Sequence, residues 1–327
     1  MAVTISVVIT TFNRAALLEQ TLRTMRDQAF EASDEVIVVD NASTDRTSEV
    51  IETAARDFPV PLRHLREREP GKTPALNTGI VAARGDVLAL TDDDVLVAED
   101  WLTTIRGLFS DPSLDLAGGR VDPLWESPPA RWLQVEHSGQ YTEMASPLAL
   151  QHYGAAQPLG ARTAVGANLI VRRRSYDALG GFAAHLGRRR GTLLCGEDHD
   201  FCERAVAAGM RCEYRPEIRV RHWVPASRGT LRYHARWFFW SGVTNAILEG
   251  PPRGSTNNPL RRVPRYMWRR VVASPVMALQ QALLGRSAAA ARELMQGIFA
   301  LGYIRERLKS IAGHGIEPAA GASQRAA

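Results

Sequence analysis

From Met1 to about Leu90, short β-branched runs alternate with amphipathic stretches: TISVVIT, RAALLEQTLRTMRDQ, DEVIVVD, TDRTSEVIETAARDF, PLRHL, TPALNTGIVAARG and DVLAL. Strand followed by helix, repeated, predicts an α/β fold with a mainly parallel, doubly wound sheet. The runs VVIT and VIVV lack polar alternation, as expected of strands covered by helices on both faces. From about Asp115 to Tyr176 the pattern turns irregular, broken by Pro123, Pro128, Pro129, Pro147 and Pro158. Long loops inside a compact domain more often serve function than fill space. Beyond them GANLIVRR reads as a strand and EDHDFCERAVAAG as a helix with Gly209 past its end. MRCEYRPEIRVRHW reads as two further short strands.

In such sheets ligands bind at the carboxyl ends of the strands. The first strand ends in Thr10, Thr11, Phe12, Asn13 and Arg14, the second in Asp40 and Asn41, and the fourth in Asp92, Asp93 and Asp94. Three adjacent carboxylates repel one another and become favourable around a divalent cation; hard oxygen ligands suit Mg2+ or Mn2+, which then bridges to phosphate. Carboxylates also suit a helix N-terminus, but that explanation better fits Glu99 and Asp100, which precede WLTTIRGLF. Lys72 is one of two lysines beside 38 arginines, a point charge suited to phosphate.

Composition narrows the field further. With 327 residues, 45% of them hydrophobic, the chain can bury a sizeable core, which excludes disordered and fibrous classes. The net charge of +5 is unevenly placed: residues 259–310 carry ten basic and two acidic side chains, leaving −3 for the rest. Cys195, Cys202 and Cys212 form no CxxC pair, so neither a disulfide framework nor structural zinc is expected. The opening MAVTISVVITTFN lacks a basic n-region and a cleavage site and reads as a first strand. The longest uncharged runs near the C-terminus fall short of a membrane span. A cytoplasmic protein is expected, with peripheral attachment to the cytoplasmic face of the membrane as an extension of that reading.

Six stretches, SVVITTFNR, VIVVDNASTDRT, GKTPALNTGI, LTDDDVL, GANLIVRR with GGF, and GEDHDFCERAVAAGMRCEYRPEIRVRH, follow one another over residues 6–222. In this order they resemble the family 2 glycosyltransferases of the GT-A fold. The resemblance implies an inverting single displacement that moves a sugar from a nucleoside-diphosphate donor, UDP-sugars favoured, to the hydroxyl of a sugar or lipid-linked acceptor. It makes Asp40 the nucleotide-base contact, with helix capping as the competing role. Asn77 fixes the Lys72 loop against the nucleotide; many relatives carry an arginine where this chain has Leu76. Asp92 goes to the ribose or an outer-shell contact, and either Asp93 or Asp94 binds the metal, joined by His222. Asp198 becomes the base that takes the proton of the acceptor hydroxyl, supported by Glu197. Helix capping would explain two acids there, but not their place after the Gly-rich GRRRGTLLCG.

The same resemblance implies a catalytic domain over 1–225, with nucleotide-binding and acceptor-binding halves meeting near residue 95, while composition reads 226–327 as a helical, basic segment with a disordered tail from about 312. RGTLRYHARWFFW resembles the QxxRW motif of processive members, but Tyr233 stands in place of the glutamine, which disfavours a polymerase. Residues 250–310 interleave Tyr266, Trp268 and Tyr303 with arginines. Interfacial helices on an anionic bilayer and a solvated helical hairpin fit that composition equally. No nucleic-acid partner is expected, since a basic tail without a reading module does not make one. A sugar nucleotidyltransferase would need a GxGxR loop where this chain has TTFNR. A catalytically inactive glycan- or lipid-surface-binding protein on the same core would have lost at least one of the acids, and all are present.

Overall fold

The computed structural model describes residues 3–160, 162–188, 191–250 and 262–309; the tail expected from about 312 lies outside them. The chain divides into two compact units, Met1–His234 and Ala235–Ala327.

The first unit runs β1 (Ile5–Thr11), α1 (Ala15–Arg26), β2 (Glu35–Asp40), α2 (Thr47–Ala55), β3 (Leu62–Arg66), α3 (Lys72–Ala82), β4 (Val87–Asp92), β5 (Val95–Val97), α4 (Trp101–Phe109) and β6 (Leu116–Trp125). Short strands β7 (Glu136–His137), β8 (Gln140–Tyr141) and β9 (Gln157–Pro158) follow. Then come β10 (Asn168–Arg172), α5 (Arg173–Leu179), α6 (Glu197–Ala207) and β11 (Cys212–Val224). The main sheet has the order β3-β2-β1-β4-β10-β6-β11-β5, with β9 beside β11. The expected mixed α/β architecture is therefore present, with β3, β2, β1 and β4 mutually parallel. β1 and β2 are buried nearly throughout, as their unbroken apolar runs require.

Two stretches differ from the sequence reading. The irregular region contains β6, a ten-residue strand in the middle of the sheet. Its Gly118, Gly119 and Pro123 hide the strand pattern. Gly119 is required by packing: a Cβ there would strike the Asn168 side chain and the Ile218 carbonyl. Asn168 fills that space and donates 3.0 Å hydrogen bonds to the carbonyls of Arg120 and Ile218. The two short strands expected over MRCEYRPEIRVRHW are one, β11, whose pairing with β6 shifts register between Arg215 and Arg219. Pro216 lies in that gap, where it has no N–H to give to a ladder.

Register decides what meets at the sheet edge. Thr11 pairs with Asp40 and Thr10 with Asp92, so the β1 end stands between the two carboxylates. β10 runs antiparallel to β4 with Asn168 opposite Thr91, which brings the residues preceding β10 to the same edge. β11 pairs with β5, placing His222 opposite Val95 and next to the Asp94 turn.

The second unit takes in most of α7 (Leu231–Leu248), with α8 (Arg265–Leu283) and α9 (Ser287–Lys309). Ala246, Val263, Met267, Ala300, Tyr303 and Ile304 form its core. α7 and α9 meet backbone to backbone at two glycines: a Cβ on Gly242 would overlap the Phe299 carbonyl, and one on Gly302 the Phe239 carbonyl. Alanine is ordinarily the better helix former by about 1 kcal/mol. Here the sign should invert: Gly302→Ala is expected to lower stability by about 1–3 kcal/mol through overpacking. Gly107→Ala in α4, whose added methyl meets nothing within 4 Å, should leave stability level or raise it. Thermal unfolding of both variants checks the contrast. No described helix is long and apolar enough to cross a membrane.

Candidate active site

The triple aspartate leaves β4 through a tight turn into β5, and its three carboxylates part company. Asp92 is ion-paired with the Lys72 ammonium at the start of α3. Asp93 faces Arg14, whose Nη1 lies 3.0 Å from its Oδ1. The same guanidinium nitrogen donates to Asp94 Oδ2 at 2.6 Å. Asp94 also has His222 Nε2 3.2 Å from its Oδ1 and Arg228 3.9 Å from its Oδ2. Burial pushes the Asp93 carboxyl up to about 6, with Arg14 opposing. Burial also pushes Asp94 up, but His222, Arg14 and Arg228 outweigh it and hold Asp94 well below the usual carboxylate range. Asp92 ends up lowered for the same kind of reason, with the Lys72 charge overcoming burial.

Asp92, Asp94 and His222 offer ligand atoms that all lie within 4.8 Å of one another. His222 is buried, and its Nδ1 has no hydrogen-bond partner; neither does Asp94 Oδ1, apart from the ion-pair contact with the ring. A buried imidazole nitrogen left without a partner is costly. Two carboxylates and an imidazole are a donor set that a divalent cation would satisfy. Asp93, the other expected ligand, lies outside this group, although Arg14 reaches both it and Asp94.

A cavity at the ends of β1 and β4 is lined by Thr10, Lys72, Leu76, Thr91, Asp92, Gly166, Phe182, Glu197 and Asp198, among others. Here the expected catalytic pair joins the aspartate turn. Asp198, at the start of α6, is held by two backbone amides: Gly166 N–H donates to Oδ2 at 3.0 Å and His199 N–H to Oδ1 at 2.8 Å. Glu197 is buried, and its Oε2 has no hydrogen-bond partner. Burial and the adjacent Asp198 charge raise the Glu197 pKa. Gly196 enters the helix with a φ of 115°, in the left-handed region that favours glycine. The preceding loop is tied down at Leu186 and Arg188, where the Thr73 hydroxyl donates to the Leu186 carbonyl at 2.8 Å and the Lys72 N–H to the Arg188 carbonyl at 3.3 Å.

Other expected ligand-binding residues frame the site. Asp40 is fully buried; its oxygens accept from Ser43 N–H at 2.8 Å and Ser48 hydroxyl at 3.1 Å, which organises the approach to α2. Asn41 donates to the Glu67 and Glu69 carbonyls and accepts from Gly71 N–H, anchoring the loop that presents Lys72. Asn13, with a φ of 52°, accepts from Thr44 N–H. Asn77 holds the GGF segment, donating to the Phe182 carbonyl while accepting from Tyr176 hydroxyl and Phe182 N–H. Thr11 is buried, and Phe12 stands partly exposed at the β1 end.

Sequence reasoning missed Arg228. It sits after β11, buried, and burial together with the nearby Arg188 and Arg14 charges lowers its pKa. One arginine among 38 gives no signal by itself; its place six residues after His222 was the available clue.

Comparison with known proteins aligns the chain with the glycosyltransferase AglE of Haloferax volcanii, 27% identical over 219 residues that make up 65% of each protein. It also aligns with a pre-mycofactocin glycosyltransferase of Mycobacterium tuberculosis, 29% identical over 252 residues, 76% of this chain and 48% of the relative. The match thus spans about half to two thirds of the length of these curated relatives. Among solved structures, the mannosyltransferase PcManGT from Pyrobaculum calidifontis, in complex with GDP-Man and Mn2+, shares the fold with a TM-score of 0.56. It is 21% identical, and the match covers 95% of this chain and 75% of that one. The sequence profile described as Glycosyl transferase family 2 matches residues 6–180.

Proposed function

The chain belongs to glycosyl transferase family 2, and from that membership we propose that it moves a sugar from a nucleoside-diphosphate donor, a UDP-sugar by preference, to an acceptor hydroxyl with inversion at the anomeric carbon. The acceptor would belong to glycan, polysaccharide or glycolipid assembly. The observation that carries this reading is Asp198. Its carboxylate is held by the Gly166 and His199 amides in the same cavity as Lys72 and Asp92. A base fixed by backbone donors needs no reorganisation when the acceptor arrives.

Asp198 takes the proton of the attacking hydroxyl. Glu197, whose pKa is raised by burial and the adjacent Asp198 charge, supports the base from the first turn of the same helix. Lys72 offers its ammonium to the diphosphate once the donor competes with Asp92. Thr10, Thr11, Phe12, Asn13, Arg14, Asp40 and Asn41 frame the nucleoside half, and Asn77 supports it through the GGF segment. Asp92, Asp94 and His222 would hold a divalent cation, which supports the reading alongside the Mn2+ reported with PcManGT. When bound, the cation supplies charge stabilisation to the departing diphosphate.

Thermal unfolding with UDP-, GDP- and dTDP-sugars, with and without Mn2+, tests this. One nucleotide class should raise the unfolding temperature only with the metal present, since a ligand of the folded state alone must stabilise it. A folded protein that responds to none of them contradicts the proposal.

A further inference from the structure

Helix α8 has two apolar faces. Met267 and Ser274 lie on the buried one, and Gly297 of α9 comes close enough that a Cβ on it would sit 3.0 Å from the Ser274 Cβ. On the opposite side Val272, Val276, Leu279 and Leu283 are 74%, 65%, 62% and 80% exposed. Their spacing of four, three and four residues puts them on one stripe. Arg265 and Arg269, both exposed, continue that stripe toward the N-terminus, and exposed Arg286 follows its C-terminal end. α8 contains no Asp or Glu. Burying only one of two apolar faces leaves a surface with no partner among the described residues, and contiguous exposed apolar surface marks interaction sites.

We propose that this stripe docks on the interface of an anionic lipid bilayer, with α8 lying in the plane of the surface. Its apolar side chains would enter the headgroup–acyl boundary while Arg265, Arg269 and Arg286 meet lipid phosphates. The charge pattern selects this occupant. An apolar row with guanidinium groups at both ends and no acid complements an anionic surface. A second copy packed symmetrically on the same row would bring Arg265 and Arg269 of one helix against the Leu283–Arg286 end of the other, with no acidic partner on either α8. The helix is also not apolar and long enough to cross the membrane, which leaves a position on its surface. The inference concerns the second unit alone and does not depend on the transfer reaction.

Flotation of the full chain with phosphatidylcholine vesicles, with and without phosphatidylglycerol, is the test. The wild type should bind the anionic vesicles about tenfold more tightly than the neutral ones, and more weakly at high salt. Val276→Glu/Leu283→Glu should lose about tenfold or more on anionic vesicles while keeping the wild-type unfolding temperature. Arg265→Gln/Arg269→Gln should retain the residual neutral binding and lose most of the anionic preference. Wild-type protein that stays unbound overturns the proposal, as does a Glu variant that binds undiminished or unfolds earlier. A lipid-free dimer that becomes a monomer in the Glu variant, seen by light scattering, also overturns it and assigns the stripe to a second copy.

Discussion

Asp198→Asn is expected to lower the rate of sugar transfer by about a thousandfold, the usual scale for losing a general base, while donor affinity changes little. The substitution keeps the side-chain shape, and the remaining oxygen can still accept the Gly166 N–H that positions it. What disappears is the ability to take a proton, together with the hydrogen bond from the His199 N–H, which the amide NH2 cannot accept. Glu197 is a poor substitute: it is buried, lacks a partner for Oε2, and has a raised pKa. Steady-state kinetics beside donor titration separates this outcome from a structural defect. A loss confined to KM would mean that Asp198 binds substrate without acting on it.

The second large effect distinguishes two neighbouring carboxylates. With donor at about a hundred times Kd, the wild type should gain about 2.7 kcal/mol from binding. Asp94→Asn should lose the metal-dependent part of that gain entirely. Asp94 offers one oxygen to the group formed with Asp92 and His222. Asp93→Asn should retain it, because Asp93 is not among the residues whose ligand atoms gather there. Without ligand, Asp94→Asn should also be the less stable variant, since it leaves Arg14, His222 and Arg228 beside a neutral side chain. Equal loss in both variants, or loss in Asp93→Asn alone, would reverse the assignment.

The parts that were legible in the sequence share a physical cause. β1, β2 and β4 are covered on both faces, so their apolar runs are unbroken and announce themselves. Their ends then point to the ligand edge by topology alone. β6 could not be read this way because its glycines answer to Asn168 and Ile218, residues distant in sequence that reach it only after folding. The same holds within the triple aspartate. Three identical adjacent residues carry no information about direction. The turn after β4 separates them by their partners: Lys72 pairs with Asp92, Arg14 reaches both Asp93 and Asp94, and His222 meets Asp94. Asn77 illustrates a third case: its identity was noticed, but its contacts are with the GGF backbone, which nothing local in the sequence specifies, whereas the Asp40 contacts to Ser43 and Ser48 are the local, cap-like ones that the sequence offered as its competing role.

The most direct measurement is calorimetric titration of nucleoside diphosphates into the full chain, with and without Mn2+. The expected result is that one diphosphate binds only when the metal is present and that the metal binds more tightly when that diphosphate is there, since coupling between two ligands is reciprocal. Binding that is indifferent to Mn2+, or no binding of any diphosphate to folded protein, would contradict a metal-bridged donor site at Asp92, Asp94 and His222.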